Sequence, residues 1–331
     1  MPKPRIAILG DGGWGTTLAV LLSNKGYSVT LWGNFAGYTK KMVKTRLNPK
    51  FLPGIKIPRQ ISITSDIKNA AKDKEIVVLA IPSQYTRQIL KKIAGSFAKK
   101  TIFLSVTKGI EIGSSKRISE VIRAELGPVK LAVLSGPTIA AEVAKEVPTA
   151  AVAASADKQI RKIIQTVFST KRFRVYTNPD LVGVELGGSL KNVIAIACGV
   201  ADGLGFGANT KAAILTRGLA EISRLGKAMG AKLGTFSGIS GLGDLVTTCI
   251  SKQSRNRSVG ELIGKGKNLK EICRHMQMVA EGIPTAKSAY ALSLEYKIDM
   301  PIIREVYYLL YMNKSPAQAV NDLMMRKSKE E

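Results

Sequence analysis

The chain has 331 residues, of which 45% are hydrophobic and 22% are charged. This balance is typical of a soluble globular protein, and the length is sufficient for two domains of ordinary size. We find neither an uncharged apolar run of about 18 residues nor a signal-peptide pattern at the N-terminus. The sequence therefore predicts a cytoplasmic protein without a transmembrane segment.

The net charge is +26, with 50 Lys and Arg residues against 24 Asp and Glu residues. Such an excess is compatible with binding to nucleic acid or to an anionic membrane. The basic residues nevertheless stand in groups of two or three at most, and Phe and Tyr do not alternate with them. We therefore expect a diffuse basic surface that attracts anionic substrates, and no nucleic-acid partner.

Residue types that bind metals or move protons near neutral pH are scarce. The three cysteines, Cys198, Cys249 and Cys273, are too far apart for the short spacings of zinc sites or thiol redox motifs. The single histidine, His275, lies in a polar stretch and is not expected to be catalytic. We predict no metal site, and an enzyme built on this chain would need a base other than imidazole.

Up to about residue 178, short apolar segments alternate with amphipathic helical segments such as 84–97 and 115–126. This alternation is typical of a parallel, doubly wound α/β sheet. After Asn178 and Pro179 only helical periodicity remains. We predict an N-terminal α/β domain at 1–185 and an all-α domain at 186–331, with the active site in the cleft between them. The predicted strands are 5–9, 28–32, 75–80, 101–105, 131–134, 150–154 and 173–176.

A G-x-G-x-x-G motif, formed by Gly10, Gly12 and Gly15, directly follows the first predicted strand, and a helical segment at 16–23 follows the motif. In this context the first glycine permits a tight turn, the second lets a pyrophosphate approach the backbone, and the third lets helix and strand pack closely. The pyrophosphate would bind the free N–H groups at the helix N-terminus. The motif predicts a Rossmann-like dinucleotide-binding domain.

The end of the second predicted strand bears on the choice of dinucleotide. NAD-specific sites usually carry Asp or Glu there, which binds the ribose hydroxyls. This chain has Gly33 and Asn34 at that point, followed by Lys40, Lys41 and Lys44. A position without a carboxylate tolerates a 2′-phosphate, so the sequence favours NADP(H) and leaves NAD(H) open.

Two segments place polar groups after predicted strands, where ligands bind in open α/β sheets. Lys108 follows the strand at 101–105, and a small, turn-forming segment at 135–142 follows the next one. In the helical half, Lys191 lies in an otherwise apolar stretch, where a buried ammonium must be neutral, paired or functional. Asp244 and Thr248 are four residues apart and share one helical face.

These segments resemble bacterial-type glycerol-3-phosphate dehydrogenases over nearly the whole chain, and they occur in the order of that family. The resemblance implies an NAD(P)-dependent enzyme that interconverts glycerol 3-phosphate and dihydroxyacetone phosphate. The matching segments are GDGGWG at 10–15, RLNPKFLPGIKIP at 46–58, AIPSQ at 80–84, SVTKGIE at 105–111, SGPTIAAEV at 135–143, the long block from VELGGSLKN to GLAE at 184–221, SGLGDLVTTCISKQSRN at 240–256, and VAEGIPTA at 279–286.

By this resemblance, Lys191 is the general base for the C2 hydroxyl, and Lys108 contacts both cofactor and substrate. The other residues implied around the reacting carbon are Asn192, Asp244 and Thr248. Those implied to bind the rest of the substrate are Ser254, Arg255 and Asn256 for the phosphate, with Gly136 and Thr138. Those implied to border the dinucleotide are Gly10, Gly12, Gly13, Trp14, Gly15, Asn34, Ala140, Arg255, Val279 and Glu281.

A lysine base requires a perturbed amine, because the ordinary lysine pKa of about 10.4 leaves it protonated at neutral pH. Partial burial and the neighbouring cations Lys108 and Arg255 are expected to favour the neutral amine, whereas Asp244 would hold Lys191 in place and partly oppose that effect. The resemblance and the missing strand-end carboxylate together favour reduction of dihydroxyacetone phosphate, which supplies glycerol 3-phosphate for phospholipid synthesis. A homodimer is also expected.

Two other functions remain open from the sequence. One is a related dehydrogenase of β-hydroxy acids or sugar-acid phosphates, which also combines a dinucleotide domain with a helical domain and a lysine base. The other is a non-catalytic basic protein that binds nucleic acid or membrane and keeps the dinucleotide domain as a redox sensor. The set Lys191, Asp244 and Arg255 argues against this second alternative.

Overall fold

The structure is a computed structural model that describes residues 3–276, 278–328 and 330. The chain forms two compact units. The first contains the chain up to Lys108 together with Lys116–Glu185, and the second contains Gly109–Ser115 and the chain from Leu186 onward. Because Gly109–Ser115 belongs to the second unit, a single cut does not divide the chain, and the domain bounds 1–185 and 186–331 stay a prediction.

The first unit contains an eight-stranded sheet and a separate two-stranded hairpin. The order of the strands across the sheet is β10-β9-β8-β7-β6-β1-β2-β5, and β3 pairs with β4 in the hairpin. The strands are β1 Ile6–Leu9, β2 Val29–Trp32, β3 Leu47–Asn48, β4 Leu52–Lys56, β5 Ser62–Thr64, β6 Ile76–Leu79, β7 Ile102–Ser105, β8 Lys130–Ser135, β9 Thr149–Ala154 and β10 Phe173–Asn178.

Helices flank these strands, and apolar residues of both form the core of the first unit. The buried strand β1 and the inner face of the first helix contribute Ile6, Ile8, Leu18 and Leu22, all of them fully buried. The predicted fold class, a doubly wound Rossmann-like sheet with an all-α second half, is confirmed. The helices of the first unit are α1 Gly13–Asn24, α2 Ala36–Thr45, α3 Ile67–Ala71, a 3₁₀ turn at Ser83–Tyr85, α4 Thr86–Ile93, α5 Ile118–Leu126, α6 Ala140–Ala144 and α7 Lys158–Phe168.

The sheet differs from the sequence prediction in one strand direction. We expected a parallel sheet, but β9 runs antiparallel to β8, with Leu134 opposite Ala153. Adjacent parallel strands need a long crossover connection. Only the five-residue helix α6 lies between β8 and β9, so the chain turns back and enters β9 in the opposite direction. The next connection contains the 11-residue helix α7, and β10 is parallel to β9.

Three strands were absent from the prediction. The hairpin strands β3 and β4 are short, and β4 contains Pro53 and Gly54, which are unfavourable in strands. The edge strand β5 has three residues and pairs only with β2 in the sheet. The hairpin strands are therefore held by their neighbours rather than by their own residue preferences, whereas β5 is too short to be recognised from its residues.

From residue 181 onward, the residues that the structure describes form helices and no strands. The second half was predicted to be helical, and this is confirmed. The helices are α8 Leu181–Gly203, α9 Ala208–Ala228, α10 Leu233–Phe236, a π-helical turn at Ile239–Gly243, α11 Asp244–Ile250, α12 Arg255–Gly264, α13 Leu269–His275, α14 Gly282–Glu295, α15 Pro301–Tyr311 and α16 Pro316–Met324.

Helix α8 is long and apolar enough to cross a membrane by length and composition, although it contains Glu185 and Lys191 and is therefore not the uncharged apolar run that we looked for in the sequence. Its most apolar window is 89% buried inside the structure. Burial to this extent is typical of the core helix of a globular protein.

Four glycines let α8 and α12 approach each other in the second unit: Gly199 and Gly203 of α8, and Gly260 and Gly264 of α12. A Cβ atom on Gly199 would lie 2.0 Å from the carbonyl oxygen of Arg257, and one on Gly260 would lie 2.0 Å from that of Ile196. Real Cβ atoms are not found this close to backbone atoms, so the two helices are in direct backbone contact. The first residues of α12 are thereby held beside the middle of α8.

Candidate active site

The glycine-rich turn after β1 has no room for a Cβ at three of its positions, Gly10, Gly13 and Gly15. Gly10 has a φ of +121°, and a Cβ there would lie 2.3 Å from the carbonyl oxygen of Ala80. A Cβ on Gly15 would lie 1.9 Å from the carbonyl oxygen of Gly10. The chain therefore turns sharply from β1 into α1, with both elements packed against the turn.

The N-terminus of α1 can accept a pyrophosphate. The helix begins at Gly13 with Gly12 as its N-cap, and the first N–H groups of a helix have no partner within it. A Cβ on Gly12 would meet no described atom within 4 Å, so there is open space at this point of the turn. Free N–H groups, the positive end of the helix dipole and open space fit a dinucleotide phosphate.

Two further residues implied to border the dinucleotide, Ala140 and Trp14, lie close to the glycine-rich turn. The hydroxyl of Thr17 in α1 donates a hydrogen bond to the carbonyl oxygen of Ala140, at 3.1 Å. A Cβ on Gly13 would lie 3.7 Å from the Cβ of Ala140. Trp14 packs against Phe173 with ring centroids 6.3 Å apart.

Asn48 supports the turn, a role that the sequence analysis missed. Its side chain is fully buried, and its Nδ2 donates to the carbonyl oxygen of Asp11 at 2.7 Å and to Oγ1 of Thr16 at 2.8 Å. The hydroxyl of Tyr38 donates to Oδ1 of Asn48 at 2.7 Å. The only signal in the sequence was the segment at 46–58, which we used for the resemblance without assigning it a function.

The structure changes the argument about the end of the second strand. Asn34 lies on the surface after β2, whereas Gly33 is buried. A Cβ on Gly33 would lie 2.4 Å from Oδ2 of Asp11, so the carboxylate of Asp11 occupies the space beside Gly33. The sequence has no acidic residue at the strand end, but the fold brings one there from the glycine-rich turn.

The two loops after β7 and β8 are joined by Lys108. Its Nζ donates to the carbonyl oxygen of Gly136 at 2.7 Å and lies 3.4 Å from Oγ1 of Thr138. The structure therefore brings together the three residues of the first unit that we expected to face the substrate. An ammonium, a carbonyl group and a hydroxyl are suitable groups for binding a polar, anionic molecule.

In the second unit, Lys191, Asp244 and Thr248 form a buried polar cluster. Lys191 is 5% exposed and Asp244 is 1% exposed. Nζ of Lys191 donates to Oδ1 of Asp244 and to Oγ1 of Thr248. The hydroxyl of Thr248 donates in turn to the carbonyl oxygen of Asp244, at 2.7 Å. These contacts fix the position of the amine and provide its counter-ion.

Asn192 and Asn256 form a second buried pair next to this cluster. Nδ2 of Asn256 donates to Oδ1 of Asn192 at 2.9 Å, and Oδ1 of Asn256 accepts the backbone N–H of Gly282 at 2.8 Å. The pair links α8, α12 and the start of α14. It holds Asn192, which we expected near the reacting carbon, and Asn256, which we expected at the phosphate, in one hydrogen-bonded chain.

Arg255 lies at the first position of α12 and contacts the segment before α14. Its guanidinium donates to the carbonyl oxygen of Val279 at 2.7 Å. Although the side chain is exposed to solvent, neighbouring atoms partly dehydrate the guanidinium, which lowers its pKa, and the carboxylate of Glu281 opposes this shift. Ser254 caps α12, because its hydroxyl accepts the N–H of Arg257 at 3.3 Å. The N-terminus of α12 thus carries a guanidinium suited to an anion.

Comparisons with known proteins agree over the whole length. The model of the NAD-dependent glycerol-3-phosphate dehydrogenase N-terminus matches residues 5–161, and the model of the C-terminus of the same enzyme matches residues 180–321. Glycerol-3-phosphate dehydrogenase (NAD(P)+) of Prosthecochloris aestuarii is 51% identical over 329 residues, which covers 98% of this chain and 99% of the relative. The enzyme of the same name from a Thermoanaerobacter species is 49% identical over 327 residues, 99% of this chain and 98% of the relative.

A solved structure supports the same assignment. The crystal structure of glycerol-3-phosphate dehydrogenase from Coxiella burnetii matches with a TM-score of 0.95 and 39% identity, and the match covers 98% of this chain and 99% of that one. Both halves of the chain, its full length and its fold agree with one family: the chain belongs to the NAD(P)-dependent glycerol-3-phosphate dehydrogenases.

Proposed function

We propose that this chain interconverts sn-glycerol 3-phosphate and dihydroxyacetone phosphate with NAD or NADP. The observation that carries the proposal is the buried contact of the Lys191 amine with Asp244 and Thr248, in a chain whose relatives are named for this activity. The turn at Gly10–Gly15 would hold the dinucleotide, whose nicotinamide would supply the redox chemistry as the acceptor of hydride from C2 of the alcohol or its donor to the ketone. All other steps are assigned to residues of the chain.

Lys191 moves the proton on the C2 oxygen. In the reducing direction its ammonium form, stabilised by Asp244, gives a proton to the oxygen that becomes the hydroxyl. In the oxidising direction the amine must first lose that proton, which the carboxylate of Asp244 opposes. We therefore expect oxidation to have a more alkaline pH optimum than reduction. Thr248 keeps the amine oriented, because its hydroxyl accepts from Lys191 and donates to the backbone of Asp244.

Arg255 and Asn256 at the start of α12 bind the phosphate, together with Ser254. A guanidinium matches two phosphate oxygens at once. Lys108, Gly136 and Thr138, which contact one another, are proposed to bind the substrate through polar groups, as the resemblance implies. Asn192 holds Asn256 in place through their shared hydrogen bond.

The test is the spectrophotometric assay with dihydroxyacetone phosphate and each reduced cofactor, on the wild type and on Lys191→Ala. Loss of a general acid–base group should lower kcat by about 10²- to 10⁴-fold. Cofactor binding, measured by calorimetry, should be unchanged. Lys211→Ala is the matched control, since Lys211 also forms an ion pair, with Asp202 at 2.5 Å. Full activity of Lys191→Ala would disprove the assignment of the base.

A substrate panel tests the alternative of a β-hydroxy-acid or sugar-acid-phosphate dehydrogenase. We expect polyol phosphates to be oxidised faster than hydroxy acids, because Arg255 provides a site for a phosphate. Faster oxidation of 3-hydroxyisobutyrate than of glycerol 3-phosphate would assign the chain to that alternative.

We further propose that the reaction supplies glycerol 3-phosphate for phospholipid synthesis, and that the enzyme is a cytoplasmic homodimer. Resemblance to the family supports these statements. Light scattering should give twice the mass of the chain, and a monomer would contradict the dimer. Cells without the gene should require added glycerol 3-phosphate or glycerol for growth, and normal growth without it would contradict the metabolic role.

A further inference from the structure

The carboxylate of Asp11 has a place in the first unit that its position in the sequence does not reveal. Asp11 is 8% exposed and lies between two glycines of the turn, yet its Oδ2 is beside Gly33, the residue that follows β2. A Cβ on residue 33 would be only 2.4 Å from that oxygen. An acidic residue at position 33 and the present conformation of Asp11 therefore exclude each other.

The carboxylate of Asp11 does not stabilise the fold in this environment. Oδ2 has no hydrogen-bond partner among the residues that the structure describes. Burial raises the pKa of Asp11, a bond to its own backbone and the charge of Lys50 lower it, and burial dominates. A buried carboxylate with an unsatisfied oxygen is destabilising. Unfavourable groups of this kind are found where function requires them.

We propose that Asp11 disfavours a 2′-phosphate on the adenosine ribose, in the role that a strand-end Asp or Glu has in other dinucleotide domains, so that this chain prefers NAD(H) to NADP(H). The inference rests on the proposed use of a nicotinamide dinucleotide. A negative charge in this position repels a phosphate but not a hydroxyl, and burial reduces the screening of that charge by water. The preference is opposite to the one that the sequence favoured, because that argument assumed that no carboxylate lies at the strand end.

The experiment measures binding of two fragments of the cofactors, ADP-ribose and its 2′-phosphate, by calorimetry at neutral pH. These fragments lack nicotinamide, so the result does not depend on catalysis. We expect the wild type to bind ADP-ribose about tenfold or more tightly than its 2′-phosphate. In Asp11→Asn and Asp11→Ala this ratio should fall by about tenfold or more, mainly through tighter binding of the phosphorylated fragment.

Asp73→Asn is the matched control. Asp73 is exposed and precedes β6, so it lies at the end of the parallel strands that is opposite to the glycine-rich turn. Its positive φ of 55° is acceptable for Asn. This variant also loses one carboxylate but should keep the wild-type ratio. Melting temperatures provide a second readout, because removal of an unsatisfied buried carboxylate should not lower the stability of the Asp11 variants.

The outcomes separate this inference from the proposed function. A wild type that binds neither fragment overturns the cofactor assignment, and this inference with it. A wild type that prefers the 2′-phosphate, or a ratio that stays the same in both Asp11 variants, overturns the role of Asp11 and leaves the proposed activity intact. A ratio that falls in both Asp11 variants but not in Asp73→Asn supports the role.

Discussion

Replacement of Asp244 by Asn tests the electrostatic basis of the proposed proton transfer. Lys191 and Asp244 are 5% and 1% exposed, so Asp244→Asn leaves a buried ammonium without its counter-ion. Removal of one partner of a buried ion pair costs about 3–5 kcal/mol of unfolding free energy. The loss has an upper limit, because the amine can become neutral instead. Deprotonation of an ordinary lysine at pH 7 costs about 5 kcal/mol, and this cost is the upper limit of the stability loss.

This limit makes the stability loss depend on pH. In the variant, the unfolded chain binds one proton on Lys191 that the folded chain does not bind, so the unfolding free energy of the variant rises with pH by up to about 1.4 kcal/mol per unit. In the wild type Asp244 favours the ammonium in the folded state, and an ordinary lysine in the unfolded chain is also protonated in this range, so we expect this group to contribute little slope. The difference between the two proteins should therefore shrink from about 3–5 kcal/mol at pH 7 to about 2 kcal/mol at pH 9.

Urea unfolding at pH 7, 8 and 9 measures this difference. Asp202→Asn is the control, because Asp202 pairs with Arg257 at 2.6 Å, and a guanidinium does not lose its proton in this range. The other partner of Asp202 is Lys211, whose side chain is 27% exposed, so water can solvate its ammonium when the carboxylate is removed. The loss in Asp202→Asn should be nearly constant with pH. A constant loss in Asp244→Asn as well would refute the argument that Asp244 sets the protonation of Lys191.

Three further predictions concern the phosphate, the glycine-rich turn and a buried acid. Arg255→Ala should raise KM for dihydroxyacetone phosphate by about 10- to 100-fold in steady-state kinetics, because a charge-assisted hydrogen bond contributes about 1.5–3 kcal/mol; an unchanged KM would place the phosphate elsewhere. Asn48→Ala should lower the unfolding free energy by about 1–3 kcal/mol and weaken cofactor binding in calorimetry, since Asp11 and Thr16 lose their shared donor; unaltered binding would show that the turn keeps its shape without Asn48. The pKa of Glu221 is raised to about 7 because burial outweighs the hydrogen bonds from the N–H groups at the start of α15. The contribution of Glu221 to the unfolding free energy is therefore fully present below the unfolded-state pKa near 4.5. It falls by about 3 kcal/mol as the pH rises through about 7. Glu221→Gln should lack this dependence in urea unfolding between pH 5 and pH 8, and parallel curves for the two proteins would contradict it.

Local signals in the sequence were sufficient for the parts of the site that lie on single elements. The turn at Gly10–Gly15 was recognisable because its glycines follow an apolar strand, and Asp244 and Thr248 were paired by their helical spacing. The structure shows the amine of Lys191 in contact with both of them. Their roles in catalysis stay predictions.

The parts that the sequence did not reveal depend on distant residues. Asp11 lies beside Gly33 because β1 and β2 are adjacent, and no local pattern reports that contact. Asn48 lies in a short strand that its own residue preferences do not favour. The direction of β9 depends on the path of a connection with only one short helix.

The backbone contact between α8 and α12 has a consequence for the range of substrates. Lys191, assigned to proton transfer, lies on α8, and Arg255, assigned to the phosphate, lies on α12. Their separation is set by main-chain atoms that touch at four glycines, and larger side chains there would force the helices apart. These are Gly199 and Gly203 of α8 and Gly260 and Gly264 of α12. Exchange of residues away from these four glycines should affect this spacing less. We therefore expect that natural variants of this chain change their preference among phosphorylated compounds of one length, and that acceptance of longer ones requires the glycine contact itself to change.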